Sequence, residues 1–301
     1  MQCKTGLKRC SLDKFYTKTH IANICIESLK KNLNILEDEL IIEPSAGSGA
    51  FTDELIQVYQ NVLSYDIEPS KKCTSDIIQQ DYLLLDTDEL SSQYDKIHVV
   101  GNPPFGRQSS LAKKFIKKSC LFAESISFIL PKSFRKDSYK KCFDNYFHLI
   151  LEIDLPKDSF TIEDVSYNVP CIFQIWVKKD VERKVEPIPT EEGFNFVSKP
   201  NIKIKEGGYK ENVFKNDIPD FGILRAGGGK TCGRISKDYM DGIKCYPEAW
   251  LFIKLDSKYD KNTFYEEYKK IDWNDDSNVG ARSISKPTFI KGINKLLKSL
   301  D

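Results

Sequence analysis

Leu40-Ile41-Ile42-Glu43-Pro44-Ser45-Ala46-Gly47-Ser48-Gly49-Ala50-Phe51 passes from an apolar run through small residues into a stretch with helical spacing. The apolar run predicts a buried strand, and the stretch behind it a helix over residues 51–59. Glycines at 47 and 49 let backbone approach a bound group closely, and Glu43 at the strand end can accept hydrogen bonds from a cationic or hydroxylated ligand. Standing alone, the same residues describe an ordinary tight connection between a strand and a helix. The third glycine of a dinucleotide fingerprint and the Gly-Lys-Ser/Thr of a phosphate loop are both missing, so neither nicotinamide nor a nucleoside triphosphate is favoured.

Outward from this turn the same alternation continues. Short β-rich runs at 40–42, 62–65, 96–100, 125–130, 149–153 and 171–177 alternate with helix-like segments at 21–33, 51–59, 110–120 and 138–146. That order predicts an α/β, Rossmann-like domain over residues 1–178, a mostly parallel sheet flanked by helices. A charged stretch from Lys178 to Lys184, followed by Pro187 and Pro189, marks the expected boundary. Residues 179–301 are then a smaller α+β or mostly β domain, with turn clusters at Gly207-Gly208 and Gly227-Gly228-Gly229 and a helix at 284–300.

Composition narrows the function classes. The chain has 301 residues, 40% of them hydrophobic, enough for a real core. Lys and Arg total 45 against 44 Asp and Glu, a net charge of +1, which excludes a purely electrostatic nucleic-acid binder. Any polyanion must meet a local patch. No apolar run approaches the roughly 20 residues that span a bilayer, and Met1-Gln2-Cys3-Lys4 opens without a signal-like stretch. An intracellular protein, cytosolic or nuclear, is expected. Nine scattered cysteines without a C-x-x-C pair, and three histidines, argue against a structural zinc site; the cysteines are expected reduced and mostly buried.

Two further acids extend the pattern. Asp66, in Ser64-Tyr65-Asp66-Ile67-Glu68-Pro69, falls at the end of the next strand, about 20 residues after the glycines, a spacing that suits the ribose hydroxyls of a nucleoside cofactor. Asp81-Tyr82 follows another short apolar segment. The deciding element is Val99-Val100-Gly101-Asn102-Pro103-Pro104-Phe105-Gly106. Two prolines hold Asn102 extended, so that its amide oxygen and a neighbouring backbone carbonyl can accept both hydrogens of one planar NH₂ group. Phe105 then offers a face on which an aromatic base can stack.

Taken together and in this order, these motifs resemble an S-adenosyl-L-methionine-dependent adenine-N6 methyltransferase, nearest to the γ-class DNA enzymes of the restriction–modification type. The resemblance covers about residues 11–178. It includes Asp13-Lys14-Phe15-Tyr16-Thr17-Lys18, similar to the family's leading motif, and Phe128-Ile129-Leu130-Pro131-Lys132-Ser133-Phe134, similar to the strand and loop after the catalytic motif. It implies a Rossmann-like class I methyltransferase domain with S-adenosyl-L-methionine as cofactor. Tyr16 and Thr17 would lie by the methionine carboxylate, and Glu43, Ser45, Ala46, Gly47 and Gly49 around the methionine moiety. Asp66, with Ile67 beside it, would take the ribose, Asp81 and Tyr82 the cofactor adenine, and Asn102, Pro103, Pro104 and Phe105 the target amine, Asn102 also bordering the cofactor. Residues 179–301 would be a target-recognition region.

The chemistry agrees with the residues. Methyl transfer from a sulfonium needs an in-line nucleophile and no metal, and a cytosine-C5 enzyme would carry a cysteine nucleophile in this loop, where none stands. Asn102 as the first loop residue favours adenine over cytosine-N4. Residues 107–141 hold ten cations against Glu124 and Asp137; Arg107, Lys132 and Arg135 are expected to meet phosphates, whereas the lysines at 113, 114, 117 and 118 suit phosphate contact and a solvated helix face equally. The loop Arg225-Ala226-Gly227-Gly228-Gly229-Lys230 with Gly233-Arg234 is a second candidate contact. The resemblance to the γ-class DNA enzymes places DNA ahead of RNA as the partner, while the loop itself reads only the flipped base and is blind to a 2′-hydroxyl elsewhere, which keeps RNA open. An RNA adenosine-N6 methyltransferase is the first alternative. Protein glutamine-N5 methylation and a non-catalytic nucleic-acid module rank below it.

Overall fold

The computed structural model describes residues 15–70, 76–162, 165–185, 187–208, 210–215, 217–227, 232–239, 247–273 and 282–301. The chain divides into two compact units, Met1–Lys184 and Val185–Asp301.

In the first unit the strands are β1 (Tyr16–Thr17), β2 (Leu40–Glu43), β3 (Val62–Asp66), β4 (Ile78–Gln79), β5 (Ile97–Gly101), β6 (Ser125–Pro131), β7 (Phe147–Asp154), β8 (Phe160–Ile162), β9 (Val165–Tyr167) and β10 (Cys171–Lys178). The helices are α1 (Thr19–Asn32), α2 (Ala50–Leu55), α3 (Asp88–Gln93), α4 (Ser110–Ser119) and α5 (Asp137–Lys140). Among the described residues a seven-stranded sheet has the order β4-β3-β2-β5-β6-β10-β7. Strands β4 to β6 of that order are parallel, and β10 runs antiparallel to both β6 and β7. This is the α/β, Rossmann-like architecture that the alternation of strands and helices predicts.

Every residue of β2, β5 and β6 is buried, the mark of parallel strands covered on both faces. Helix α1 turns Ile21, Ala22, Cys25, Ile26 and Leu29 inward, and α4 turns Ala112, Phe115, Ile116 and Ser119. Each fully covered Ile or Leu contributes about 1.5–3 kcal/mol. The chain leaves β2 for β3 and β4 on one side, then returns to β5 and β6 on the other. The direction of winding therefore reverses between β2 and β5, and a crevice opens where Glu43 and Gly101 end those strands, the place where such sheets bind ligands.

Two sequence expectations are corrected. The helix expected at 138–146 is the single turn α5. The stretch 179–184, expected to begin the second domain, belongs with the first unit: Lys179 N–H donates to the Tyr146 carbonyl (2.9 Å) and Arg183 N–H to that of Asn145 (2.8 Å). The Arg183 guanidinium donates to the carbonyls of Lys140, Phe143, Asp144 and Phe147 and lies over the Trp176 ring. A cation with four backbone acceptors takes up the carbonyls that a longer α5 would have used itself.

The second unit is α+β. Its strands are β11 (Phe194–Val197), β12 (Asn201–Ile204), β13 (Lys210–Val213), β14 (Phe221–Leu224), β15 (Ala226–Gly227), β16 (Ile235–Ser236), β17 (Trp250–Leu255) and β18 (Arg282–Ser283). Its helices are α6 (Lys261–Tyr268) and α7 (Lys286–Leu300). An antiparallel sheet β11-β17-β14-β16 packs Phe221, Ile223 and Ile253 against Phe264 of α6 and Phe289 and Ile293 of α7. Both helices begin on side-chain caps: Asp260 accepts from Thr263 N–H (2.8 Å), and Ser285 from Thr288 N–H (3.2 Å). Strands β12 and β13 form a separate hairpin. Among the described residues no helix is long and apolar enough to cross a membrane.

Candidate active site

The turn after β2 is held by Asp66 at the end of β3. One carboxylate oxygen accepts from Gly47 N–H (2.8 Å) and the other from Glu68 N–H (2.7 Å). Ala46 N–H reaches the Tyr65 carbonyl, and Ser70 N–H reaches that of Gly47. Gly47 has φ +58°, and a Cβ there would lie 3.1 Å from the Tyr16 ring, so glycine serves both the left-handed turn and the close approach of β1. Gly49, at φ +86°, starts α2.

Glu43 lies behind this turn and does not border the cavity described below. It is 1% exposed and shares a hydrogen bond with the Thr52 hydroxyl, which also meets Ser64 Oγ at 2.9 Å. Burial pushes the Glu43 carboxyl up to about 8, against the Thr52 hydrogen bond, and the Asp66 charge adds to the rise. At neutral pH this acid keeps its proton.

Strand β5 delivers the Asn-Pro-Pro-Phe loop to the same edge. Ser45 Oγ donates to the Asn102 backbone carbonyl (3.0 Å), tying this loop to the glycine turn. Asn102 Nδ2 donates to the Phe15 carbonyl (3.3 Å) and to Thr17 Oγ1 (3.1 Å). Its Oδ1 is buried and has no hydrogen-bond partner. An acceptor left in that state costs about 1–3 kcal/mol, so the fold holds it against its own stability. Phe105 is 9% exposed and lies nearly parallel to Phe15, with ring centroids 6.5 Å apart. Gly106 has φ +69°, and a Cβ there would come within 2.9 Å of the Leu111 side chain. Gln108 and Ser109 follow at φ 53° and 60°, a left-handed pair that costs about 1–2 kcal/mol per residue.

These elements surround a cavity of about 580 Å³. Of the residues singled out in the sequence, Tyr16, Ser45, Gly47, Asp66, Ile67, Asp81, Tyr82, Asn102, Pro103, Pro104, Phe105 and Arg107 line it. Thr17, Glu43, Ala46 and Gly49 do not: they stand behind the wall and hold it. Asp81 accepts from Leu83 N–H (2.9 Å) and starts a 3₁₀ turn. Tyr82 is a core residue that closes one end, its ring stacked on Phe115 and its hydroxyl 2.8 Å from Ser119 Oγ; burial pushes its phenol well up. The sequence reading did not name Phe15, Pro44, Glu68, Leu83, Gly106, Ser110, Leu111 and Phe115 as site residues, yet all of them line the cavity. Phe15, Pro44, Glu68 and Gly106 lay inside the quoted motifs without being singled out, and Ser110, Leu111 and Phe115 carried a signal as the opening of a helix directly after the loop.

The expected phosphate contacts are divided. Arg107 is exposed at the cavity. Lys132 and Arg135 are ion-paired within the chain: Lys132 Nζ lies 2.6 Å from Asp154, and Arg135 pairs with Glu152 (2.8 Å) and Asp154 (2.9 Å). Lys132 and Arg135 together hold the Asp154 carboxyl below its usual range. Glu152 and Asp154 lie on β7, outside the stretch whose charges suggested the patch, and only the sheet, with β10 between β6 and β7, brings them within reach of the turn after β6. On α4, Lys118 donates to the Leu85 carbonyl (2.6 Å) and Lys113 covers the Tyr139 ring, leaving Lys114 and Lys117 exposed. In the second unit residues 228–230 lie outside the described residues. Gly233, expected to give flexible backbone, is packed against Trp273 and leaves no room for a Cβ. Cys25 and Cys171 are buried and Cys120 and Cys142 half-buried free thiols, and Cys232 is half-buried; the other four cysteines lie outside the described residues.

Comparison with known proteins returns methyltransferases. The chain is 38% identical over 122 residues to the Type II methyltransferase M.HincII of Haemophilus influenzae, a match covering 38% of this chain and 22% of that protein. It is 29% identical over 133 residues to the ribosomal RNA small subunit methyltransferase A of Mycoplasma capricolum, covering 40% of this chain and 49% of that one. The chain thus spans about a fifth of the first relative and half of the second. Among solved structures, the 23S rRNA methyltransferase ErmE is matched at TM-score 0.39 and 13% identity, over 56% of this chain and 71% of that chain. No family model matches. The relatives agree with the resemblance read from the motifs in being methyltransferases.

Proposed function

We propose that the chain transfers a methyl group from S-adenosyl-L-methionine to the exocyclic N6 of adenine in nucleic acid, with DNA as the preferred substrate. One observation carries the reading: Asn102 lines the cavity that Asp66 and Gly47 also line, and its Oδ1 is a buried acceptor without a donor. An amino group with a hydrogen to give supplies the missing partner.

The residues present fit the cofactor. The glycine turn leaves space that a Cβ would fill, and Asp66 and Asp81 put two carboxylates on one wall, where a nucleoside offers hydroxyl and amino donors. When bound, S-adenosyl-L-methionine supplies an electrophilic methyl group on a sulfonium. Asp66 accepts the ribose hydroxyls while still holding Gly47, since a carboxylate has about four lone-pair positions. Asn102 Oδ1 accepts one N6 hydrogen and orients the nitrogen lone pair for in-line attack. Phe105 holds the base face. The apolar Phe15, Leu111 and Phe115 exclude water from the reacting atoms. Residues 185–301 select the target strand, and Arg107 meets a phosphate beside the extruded base. Such an enzyme works inside the cell.

An RNA substrate is the second reading, favoured by the relatives named as ribosomal RNA methyltransferases. The test is transfer of tritiated methyl to matched pools of duplex DNA, single-stranded DNA, RNA and protein, followed by nucleoside digestion and mass detection. N6-methyladenine in DNA is the expected result. Label only in RNA replaces the substrate and keeps the chemistry; label in protein, or none, sinks the proposal.

A further inference from the structure

Asn102 has one acceptor and two donors on its side-chain amide, and the two ends are treated differently. Both donors are engaged, by the Phe15 carbonyl at 3.3 Å and Thr17 Oγ1 at 3.1 Å, while the acceptor is buried and unmet. A carbonyl oxygen can only accept, so the Phe15 carbonyl demands an N–H on its side. A half-turn of the amide would set Oδ1 against that carbonyl, and an aspartate at 102 would do the same. Thr17 itself stands outside the cavity wall. It is fixed from behind: β1 pairs with β8 through Thr17 and Phe160, Lys18 N–H donates to the Ser159 carbonyl at 3.1 Å, and Lys18 Nζ donates to Ser166 Oγ at 2.7 Å.

We infer that Thr17, together with the Phe15 carbonyl, is a positioning residue that locks the Asn102 amide by engaging both of its N–H donors and leaving its oxygen as the one group still to be paired, so that the site takes a base bearing an amino group and rejects one bearing a carbonyl there. The inference rests on the reading of Asn102 as the acceptor of the target amine. It gives Thr17 a role in place of the cofactor contact that the resemblance implied: β1 sets the polarity of a catalytic group on a loop 85 residues later.

The experiment uses the full chain, selectively labelled with ¹⁵N-asparagine, in three forms: wild type, Thr17→Val and Thr17→Ser. The Asn102 side-chain signal is assigned by its loss in Asn102→Asp. Solvent exchange of that NH₂ group should quicken at least about tenfold in Thr17→Val, which loses the acceptor and keeps the shape, and return to near wild type in Thr17→Ser. In methyl transfer, Thr17→Val should lower kcat about tenfold while the Kd for S-adenosyl-L-methionine stays within about threefold, and Thr17→Ser should restore kcat. Unchanged exchange in Thr17→Val overturns the lock, as does faster exchange with kcat intact, or an equal fall in kcat for Thr17→Ser. A wild-type chain that methylates no nucleic acid would sink the functional reading instead, and the exchange rates would still decide the lock.

Discussion

The turn after β2 and the loop after β5 leave neighbouring strands at the same edge of one sheet, yet they treat their polar groups in opposite ways. In the turn both Asp66 carboxylate oxygens accept a backbone N–H, Glu43 is sealed behind with Thr52 and Ser64, and the positive φ angles fall on glycines. In the loop a buried amide oxygen is left bare, and Gln108 and Ser109 carry left-handed backbone without being glycine. One is a satisfied scaffold; the other holds strain and an open valence. A fold tolerates such a group where a ligand completes it, which is why the unmet acceptor says more about function than the glycines do.

Four outcomes would sharpen or break this contrast. Asn102→Ala should reduce methyl transfer by at least about 100-fold, with cofactor Kd within about threefold by calorimetry; an equal collapse of cofactor binding would erase the distinction between turn and loop. Asp66→Ala should act on both function and fold: cofactor affinity falls first, and loss of the part-buried bond to Gly47 N–H lowers unfolding stability by about 1 kcal/mol in urea titration. Glu43→Gln tests the sealed acid. Because burial raises its carboxyl to about 8, its stabilising contribution is full below the ordinary value of 4.5 and is lost as pH rises through about 8. Wild-type urea midpoints should therefore fall between about pH 5 and pH 8, and the Gln variant should lose that part of the slope. The smallest effect belongs to the cations. Arg107→Gln should flatten the salt dependence of nucleic-acid binding by about one phosphate contact, whereas Lys132→Gln should leave it unchanged, because Asp154 already neutralises that lysine.

The ion pairs of Lys132 and Arg135 and the Thr17 lock have the same origin. A count of charges along residues 107–141 sees ten cations and two acids. The sheet sets β7 two places from β6, with β10 between, and so adds Glu152 and Asp154 to the account. Thr17 was legible only as part of a leading motif, with an implied contact to the cofactor. Its bond to Asn102 spans 85 residues and exists because β1 pairs with β8. Glu43 was legible as an acid at a strand end; that it faces the interior and keeps a proton depends on Thr52 and Ser64 closing over it.

Local physics alone determined the six long strands, the helices α1 and α4, the two glycine positions of the turn and the proline-stiffened loop, because periodicity and allowed backbone angles are properties of neighbouring residues. Which polar atoms are met and which are left bare was decided only by the tertiary structure. That depends on partners brought together across the sheet, and no window along the chain contains both members of such a pair.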